Sequence, residues 1–265
     1  MFDYDTETRV EALDEHSYGG YVHPHWNIGD NPNGGYLLSI VLQALKHALP
    51  HADPLTVTSH FLRPGVASAE CQVVVDVVRV GRTMSTARAT LMQDNKARLE
   101  VLAGFGDLAT AAGIADELTI RPPELPAVAE CVPRSGAIQQ LDLPITQRVA
   151  VHLHPQQAHP GQAGQAIISG WIGFTDGRVA DSLSLPLFAD AFPPSPLGWL
   201  GVIGWVPTVE LTVHVRAQPV PGWIRAQFTT QDLQGGRMLE SGLLWDSADR
   251  LVAQSRQIGL VIEKA

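Results

Sequence analysis

Asn33-Gly-Gly-Tyr-Leu-Leu-Ser-Ile-Val-Leu-Gln-Ala-Leu-Lys-His-Ala-Leu-Pro50 decides the fold. Asn33 is placed to cap a helix and Pro50 to stop it. Between them the side chains are apolar on nearly every face. A helix without a polar face is expected to be buried.

Four extended runs follow Pro50. Leu55 to Leu62, Ala69 to Val80, Thr83 to Gln93 and Arg98 to Phe105 read as strands, separated by Arg63-Pro64-Gly65, Gly81 and Asp94-Asn95. Their short connections make an antiparallel meander. From Asp107 to Pro144 the composition turns to Ala, Pro and Glu, with Pro122-Pro123-Glu-Leu-Pro126 in the middle, as in a surface linker. Then the order returns: strands at Val149 to Leu153 and Ala166 to Phe174, a helix at Asp181 to Phe192, and strands at Pro207 to Arg216, Trp223 to Gln231, Met238 to Asp246 and Leu251 to Ile262. A unit of strand, helix and meander is written twice. Overlaying Arg98–Phe105 on Arg250–Gln257 gives a spacing of 152 residues and sets Gln257 where the first copy has Phe105. The expected organisation is residues 1–107, a linker over 108–144, and residues 145–265.

Composition narrows the function. Of the 265 residues 45% are apolar, enough for a large core, and 27 acidic against 18 basic side chains leave a formal charge of −9, which disfavours a nucleic-acid or anionic-membrane surface. The longest apolar stretch, Leu197 to Val209, is broken by glycines and Pro207 and falls short of the roughly 18 residues of a membrane-spanning helix. The start, Met1-Phe-Asp-Tyr-Asp-Thr-Glu7, is acidic where a secretory signal is basic, and only Cys71 and Cys131 are available to pair. A cytoplasmic location is expected.

The usual nucleophile signatures, G-x-S-x-G, the phosphate loop and C-x-x-C, do not occur. His23-Pro-His25 and His152-Leu-His154 each set two imidazoles close together, but no third metal ligand stands at suitable spacing, so no metal is expected. Asp190 is the anomaly: a carboxylate in the apolar helix Leu183-Ser-Leu-Pro-Leu-Phe-Ala-Asp-Ala-Phe192, on one stripe with Leu183 and Leu187. Burial of an isolated carboxylate costs several kcal/mol, which leaves two roles, a catalytic base of raised pKa or a helix-end group bonded to loop amides. Gln257 lies on a strand face of small neighbours, Ala253, Ser255 and Gly259, where its amide either orients a water or satisfies main chain. Thr208, at the start of the strand after the Asp190 helix, is within reach of that carboxylate. Gly34 and Gly35 open the first helix at the positive end of its dipole, so their amides suit either an oxyanion or close packing.

Several stretches together resemble the acyl-CoA thioesterase II family: Asn33-Gly-Gly-Tyr-Leu-Leu38, Ser59-His-Phe-Leu-Arg-Pro-Gly65, Arg79-Val-Gly-Arg-Thr-Met-Ser-Thr-Ala-Arg88, Leu187-Phe-Ala-Asp190, Pro207-Thr-Val209 and Leu251-Val-Ala-Gln-Ser-Arg-Gln-Ile-Gly259. The resemblance covers most of the chain outside the linker. It implies an α+β tandem (double) hotdog, each half a long helix wrapped by an antiparallel sheet. It further implies that acyl-CoA is hydrolysed by water activated by Asp190, Thr208 and Gln257, with the Gly34 and Gly35 amides near the thioester carbonyl, and that no cofactor is needed. The sequence around Asp190, followed by Ala-Phe-Pro-Pro-Ser195, departs from the family, so no acyl length carries over. Arg63, Arg82 and Arg88 are candidates for the CoA phosphates.

Two other readings share the fold. A hotdog hydratase or dehydratase is suggested by Gly29-Asp-Asn-Pro-Asn33, but Gly34 and Gly35 stand where that class needs a catalytic His. A non-catalytic acyl-CoA or lipid-binding protein is the other. Assembly into a homo-oligomer is left open.

Overall fold

The computed structural model describes residues 2–110, 119–203 and 205–261. A short helix α1 (Asp3–Glu7) and strands β1 (Val10–Ala12) and β2 (Ser17–Val22), none of them expected from the sequence, precede the long helix α2 (Gly34–Ala48). Then come β3 (Asp53–Phe61), β4 (Ala69–Val80), β5 (Met84–Gln93) and β6 (Lys96–Gly106), each within two residues of its expected run. In the second half lie β7 (Val132–Pro133), α3 (Gly136–Gln139), β8 (Val149–Leu153), β9 (Ile167–Phe174), α4 (Leu185–Asp190), α5 (Leu197–Leu200), β10 (Thr208–Val215), β11 (Ile224–Gln234), β12 (Arg237–Trp245) and β13 (Leu251–Leu260). The end expected for the last strand, Ile262, lies outside the described residues.

α2 forms as its sequence directs. The Asn33 side chain accepts the Tyr36 N–H at 3.0 Å, and the helix is buried without a break from Gly35 to Leu42. It contacts β1 to β6, the six strands that the first half gives to the large sheet. Six strands at ~4.8 Å spacing span about 24 Å, more than twice a helix's ~10 Å diameter, so the sheet has to curl round α2 to touch it with every strand. Each fully buried Leu or Ile on α2 contributes about 1.5–3 kcal/mol to holding the sheet closed.

These thirteen strands join one antiparallel sheet in the order β1-β2-β4-β5-β6-β3-β10-β13-β12-β11-β9-β8-β7, and the short strands Asn27–Ile28 and Asn31–Pro32 pair separately. The halves meet at β3 and β10, where Thr58 faces Thr212 with the hydroxyls 3.1 Å apart. Outward from that pair β6 answers to β13, β5 to β12, β4 to β11, β2 to β9 and β1 to β8, with β7 left over at the edge. The register corrects the overlay: the single offset that carries the β3–β6 pairs onto the β10–β13 pairs is 154 positions, not 152. Val57 pairs with Ala103 and its equivalent Leu211 pairs with Gln257, so Gln257 answers to Ala103 instead of Phe105. A slip of two preserves strand alternation, which is why the face assigned to Gln257 survives the error.

Two other expectations need correction. The second helix is shorter than Asp181 to Phe192: turns occupy the residues before Leu185, so Leu183 is not on its stripe, and Asp190 is its last residue. Pro186 sits in the first turn, where its missing N–H costs nothing. The segment 108–144 is also more than a surface linker. Cys131, Arg134, Gln139 and Leu143 are buried, and β7 pairs with β8. Indole N–H groups of Trp171 and Trp245 donate to the carbonyls of Pro126 (2.9 Å) and Ile120 (2.7 Å), tying the proline-rich stretch to the second half. Both cysteines are free and buried, and no helix is long and apolar enough to cross a membrane among the described residues.

Candidate active site

The sheet and the two helices bring the expected residues of both halves to one place. α4 packs on the N-terminal end of α2 so closely that a Cβ on Gly35 would lie 2.9 Å from Leu187 Cα and 2.9 Å from Asp190 Cβ. Only glycine permits that approach. Its consequence is chemical, because the Gly35 N–H donates to Asp190 Oδ2 at 2.7 Å. Asn33 adds a second donor. Its Oδ1 caps α2, so its Nδ2 is turned to Asp190, donating to Oδ2 at 2.8 Å and to the backbone carbonyl at 3.0 Å.

On the other carboxylate oxygen, the Thr208 hydroxyl donates to Asp190 Oδ1 at 3.4 Å and accepts from Gln257 Nε2 at 2.7 Å. The direction is fixed, since a carboxylate can only accept and the hydroxyl has one proton. Asp190 Oδ2 therefore holds two donors from the first half, while Oδ1 keeps a lone pair beside Thr208 and Gln257. Asp190, Thr208, Gln257, Gly34 and Asn33 all line a cavity of about 290 Å³ whose apolar wall includes Leu37, Phe61, Phe192, Leu197, Val206 and Leu260. Gly35 does not line it. Of the two amides expected at a bound carbonyl, that of Gly35 is taken by Asp190, and Gly34 alone is at the cavity surface.

Burial pushes the Asp190 carboxyl up to about 6, against the pull of its donors and of the nearby Arg134 guanidinium. Arg134 comes from the segment expected to be a linker. It is 8% exposed, donates from Nε to Gln139 Oε1 at 2.9 Å and from Nη1 to the Ala191 carbonyl, and burial pulls it down to about 10. An arginine on the last carbonyls of α4 satisfies groups that a helix end leaves open.

A second cavity carboxylate is absent from the candidates that the sequence offers. Glu240 on β12 is 5% exposed and pairs directly with Gln257. Its Oε2 accepts the Ser195 N–H at 2.7 Å, and burial pushes it up to about 7. A signal for it exists: Met238, Glu240, Gly242 and Leu244 alternate as the inward face of β12, all buried.

The arginines expected at the CoA phosphates separate. All three are exposed, but Arg63 lines the cavity whereas Arg82 and Arg88 do not, and Arg88 faces Asp76 at 3.6 Å. His23 and His25 do acquire a third neighbour, Glu7, with ligand atoms within 4.8 Å of one another. The Arg148 guanidinium fills the place a cation would take, donating to both Glu7 oxygens at 2.7 and 2.8 Å and reaching His25 Nδ1 at 2.9 Å. His152 packs edge-on to Trp223 with ring centres 5.3 Å apart, and His154 Nδ1 accepts the Gln156 N–H.

Known proteins share this architecture. A structure from Alicyclobacillus acidocaldarius described as having a hot dog fold superposes with a TM-score of 0.89 over 100% of both chains at 20% identity. One from Thermobifida fusca, assigned as a thioesterase II, gives 0.88 over 99% of this chain and 98% of that one at 28% identity. An uncharacterized Mycobacterium tuberculosis protein is 26% identical over 92% of this chain and 90% of its own. The fold is thus of the hotdog class, an antiparallel sheet with few helices. The acyl-CoA thioesterase N-terminal domain family matches residues 22–107 and the acyl-CoA thioesterase C-terminal domain family matches residues 122–261. The chain belongs to the acyl-CoA thioesterase family.

Proposed function

We propose that the protein hydrolyses an acyl-CoA thioester to the free acid and CoA, using water activated by Asp190. The observation that carries this reading is the asymmetry of the Asp190 carboxylate: Oδ2 is held by Gly35 and Asn33, and Oδ1 looks toward Thr208 and Gln257 in a largely apolar cavity. A base of pKa about 6 is ionised at neutral pH and still basic enough to take a proton from an attacking water. The water is held by Asp190 Oδ1 and the Gln257 side-chain carbonyl, with Thr208 bridging the two side chains. It attacks the thioester carbon, its proton passes to Asp190, and the tetrahedral intermediate expels the CoA thiolate.

The carbonyl oxygen, negative in that intermediate, faces Gly34 N–H at the positive end of α2, a type of donor worth roughly 3–4 kcal/mol in other enzymes. Gly35 serves the base instead of the oxyanion. In this reading the chain is a tandem double hotdog with halves 1–107 and 145–265, and one half supplies the base while the other supplies the clamp and the oxyanion donor. Arg63 at the cavity is the residue for a CoA phosphate. A panel of acyl-CoA thioesters followed by release of free thiol tests the proposal. Turnover abolished in Asp190→Asn is expected, and no thiol release from any acyl-CoA by the folded wild-type protein would overturn it.

A further inference from the structure

We infer that Glu240 selects acyl groups carrying a hydroxyl a few bonds beyond the thioester carbonyl. This rests on the thioesterase reading and assigns the chemistry of the acyl chain within it. Glu240 is a carboxyl on the cavity wall, 95% removed from solvent; its Oε2 accepts the Ser195 N–H at 2.7 Å, and the Ser195 side chain favours the ionised carboxyl as well. No hydrogen bond reaches Oε1 from the described residues, and Glu240 lines the cavity. A plain alkyl chain would leave that oxygen without a partner in an apolar space, at the desolvation cost of a buried unsatisfied group. Nothing in the proposed hydrolysis uses it.

Its place on the sheet sets the position of the partner. Glu240 is the direct cross-strand neighbour of Gln257, one strand further from Thr208 on the same inner face. Adjacent strands are ~4.8 Å apart, so a carbonyl at Asp190, Thr208 and Gln257 brings Glu240 within reach of the acyl carbons shortly after it. The next strand continues the polar row with Thr230, whose hydroxyl is 2.8 Å from that of Ser195. Ser195 thus stands braced from both sides and holds Glu240 in one orientation. A hydroxyl suits the carboxyl in either protonation state, donating to the ionised form and accepting from the neutral one. A carboxylate on the acyl chain would be repelled by the ionised form and by Asp190.

The test compares octanoyl-CoA with 3-hydroxyoctanoyl-CoA and 4-hydroxyoctanoyl-CoA on the wild-type protein and on Glu240→Leu. For the wild type, kcat/KM is expected to be at least about tenfold higher for one of the hydroxylated thioesters. In Glu240→Leu that ratio falls to near one, and in Glu240→Gln, which can still accept from Ser195 and bond a hydroxyl, part of it returns. Wild-type hydrolysis of octanoyl-CoA equal to or faster than both hydroxylated thioesters overturns the inference while leaving the thioesterase reading intact. So does an equal loss for all three substrates in Glu240→Leu, which would put the carboxyl on the CoA side. Binding to Asp190→Asn by calorimetry reads the same preference without turnover. If no thioester is hydrolysed, the thioesterase reading fails, and tighter binding of a hydroxylated thioester still upholds the role of Glu240 while equal binding ends it.

Discussion

Gly35 gives its backbone N–H to Asp190 Oδ2 at 2.7 Å, across 155 residues of chain and from one half of the sheet to the other. The bond explains two features together. It lets α4 end on an otherwise isolated carboxylate, and it leaves the other oxygen of that carboxylate to do chemistry. With Asn33, it makes the N-terminus of α2 a clamp for the base.

Activity should follow the ionisation of Asp190. Burial raises its pKa to about 6, so the active, deprotonated form is lost as pH falls through that value. The expected profile of log kcat/KM rises with a slope of one at low pH and levels off above an inflection near 6. A profile flat from pH 4.5 to 8 would separate the rate-limiting chemistry from this group.

Asn33→Ser isolates the clamp from the helix cap. Serine still caps α2, so unfolding temperature should change little, but it no longer reaches Asp190. Removing a donor to the ionised carboxylate makes the anion less favourable, and the inflection should move to higher pH. A shift downward, or a loss of activity without any shift, would contradict the clamp.

Gly35→Ala should damage packing and chemistry together. The added Cβ meets the Leu187 backbone and Asp190 Cβ at 2.9 Å, and neither can rotate away. Overpacking of this kind costs about 1–3 kcal/mol, and displaced Asp190 should lower kcat in the same variant. Gly34→Ala differs in kind: its Cβ meets the edge of the Phe61 ring at 2.7 Å, a side chain that can give way. Gly34→Ala should therefore be the more stable of the two, as thermal unfolding of both variants will show.

Much of this is legible in the sequence. Long strands and the buried helix follow from alternation and from a helix apolar on every face, and Asp190, Thr208 and Gln257 do meet in hydrogen-bonding contact. The features that escape have physical causes. Short elements such as β1 and β2 carry too little pattern to stand out from turns. Arg134 is hidden because a buried arginine in a proline-rich stretch looks like any solvated one until the Ala191 carbonyl is found beside it. Glu240 has an inward register on β12 to mark it, yet a single acidic residue in a strand stands out far less than a carboxylate in an apolar helix. Gly35 suits an oxyanion donor because nothing in the sequence shows that α4 approaches it from the other half.

Asp190→Asn provides the most direct measurement, with kcat/KM on an acyl-CoA substrate and thermal unfolding recorded at pH 8 on one preparation. Asparagine keeps the volume and an oxygen for Gly35 and Asn33 but cannot take a proton. Folding also no longer has to bury a charge whose native pKa is raised, so stability at this pH should be equal to or above that of the wild type. The account predicts a loss of about 10²–10⁴-fold in kcat/KM with an unfolding temperature no lower than wild type. A folded Asp190→Asn protein that hydrolyses acyl-CoA within tenfold of the wild-type rate would contradict it.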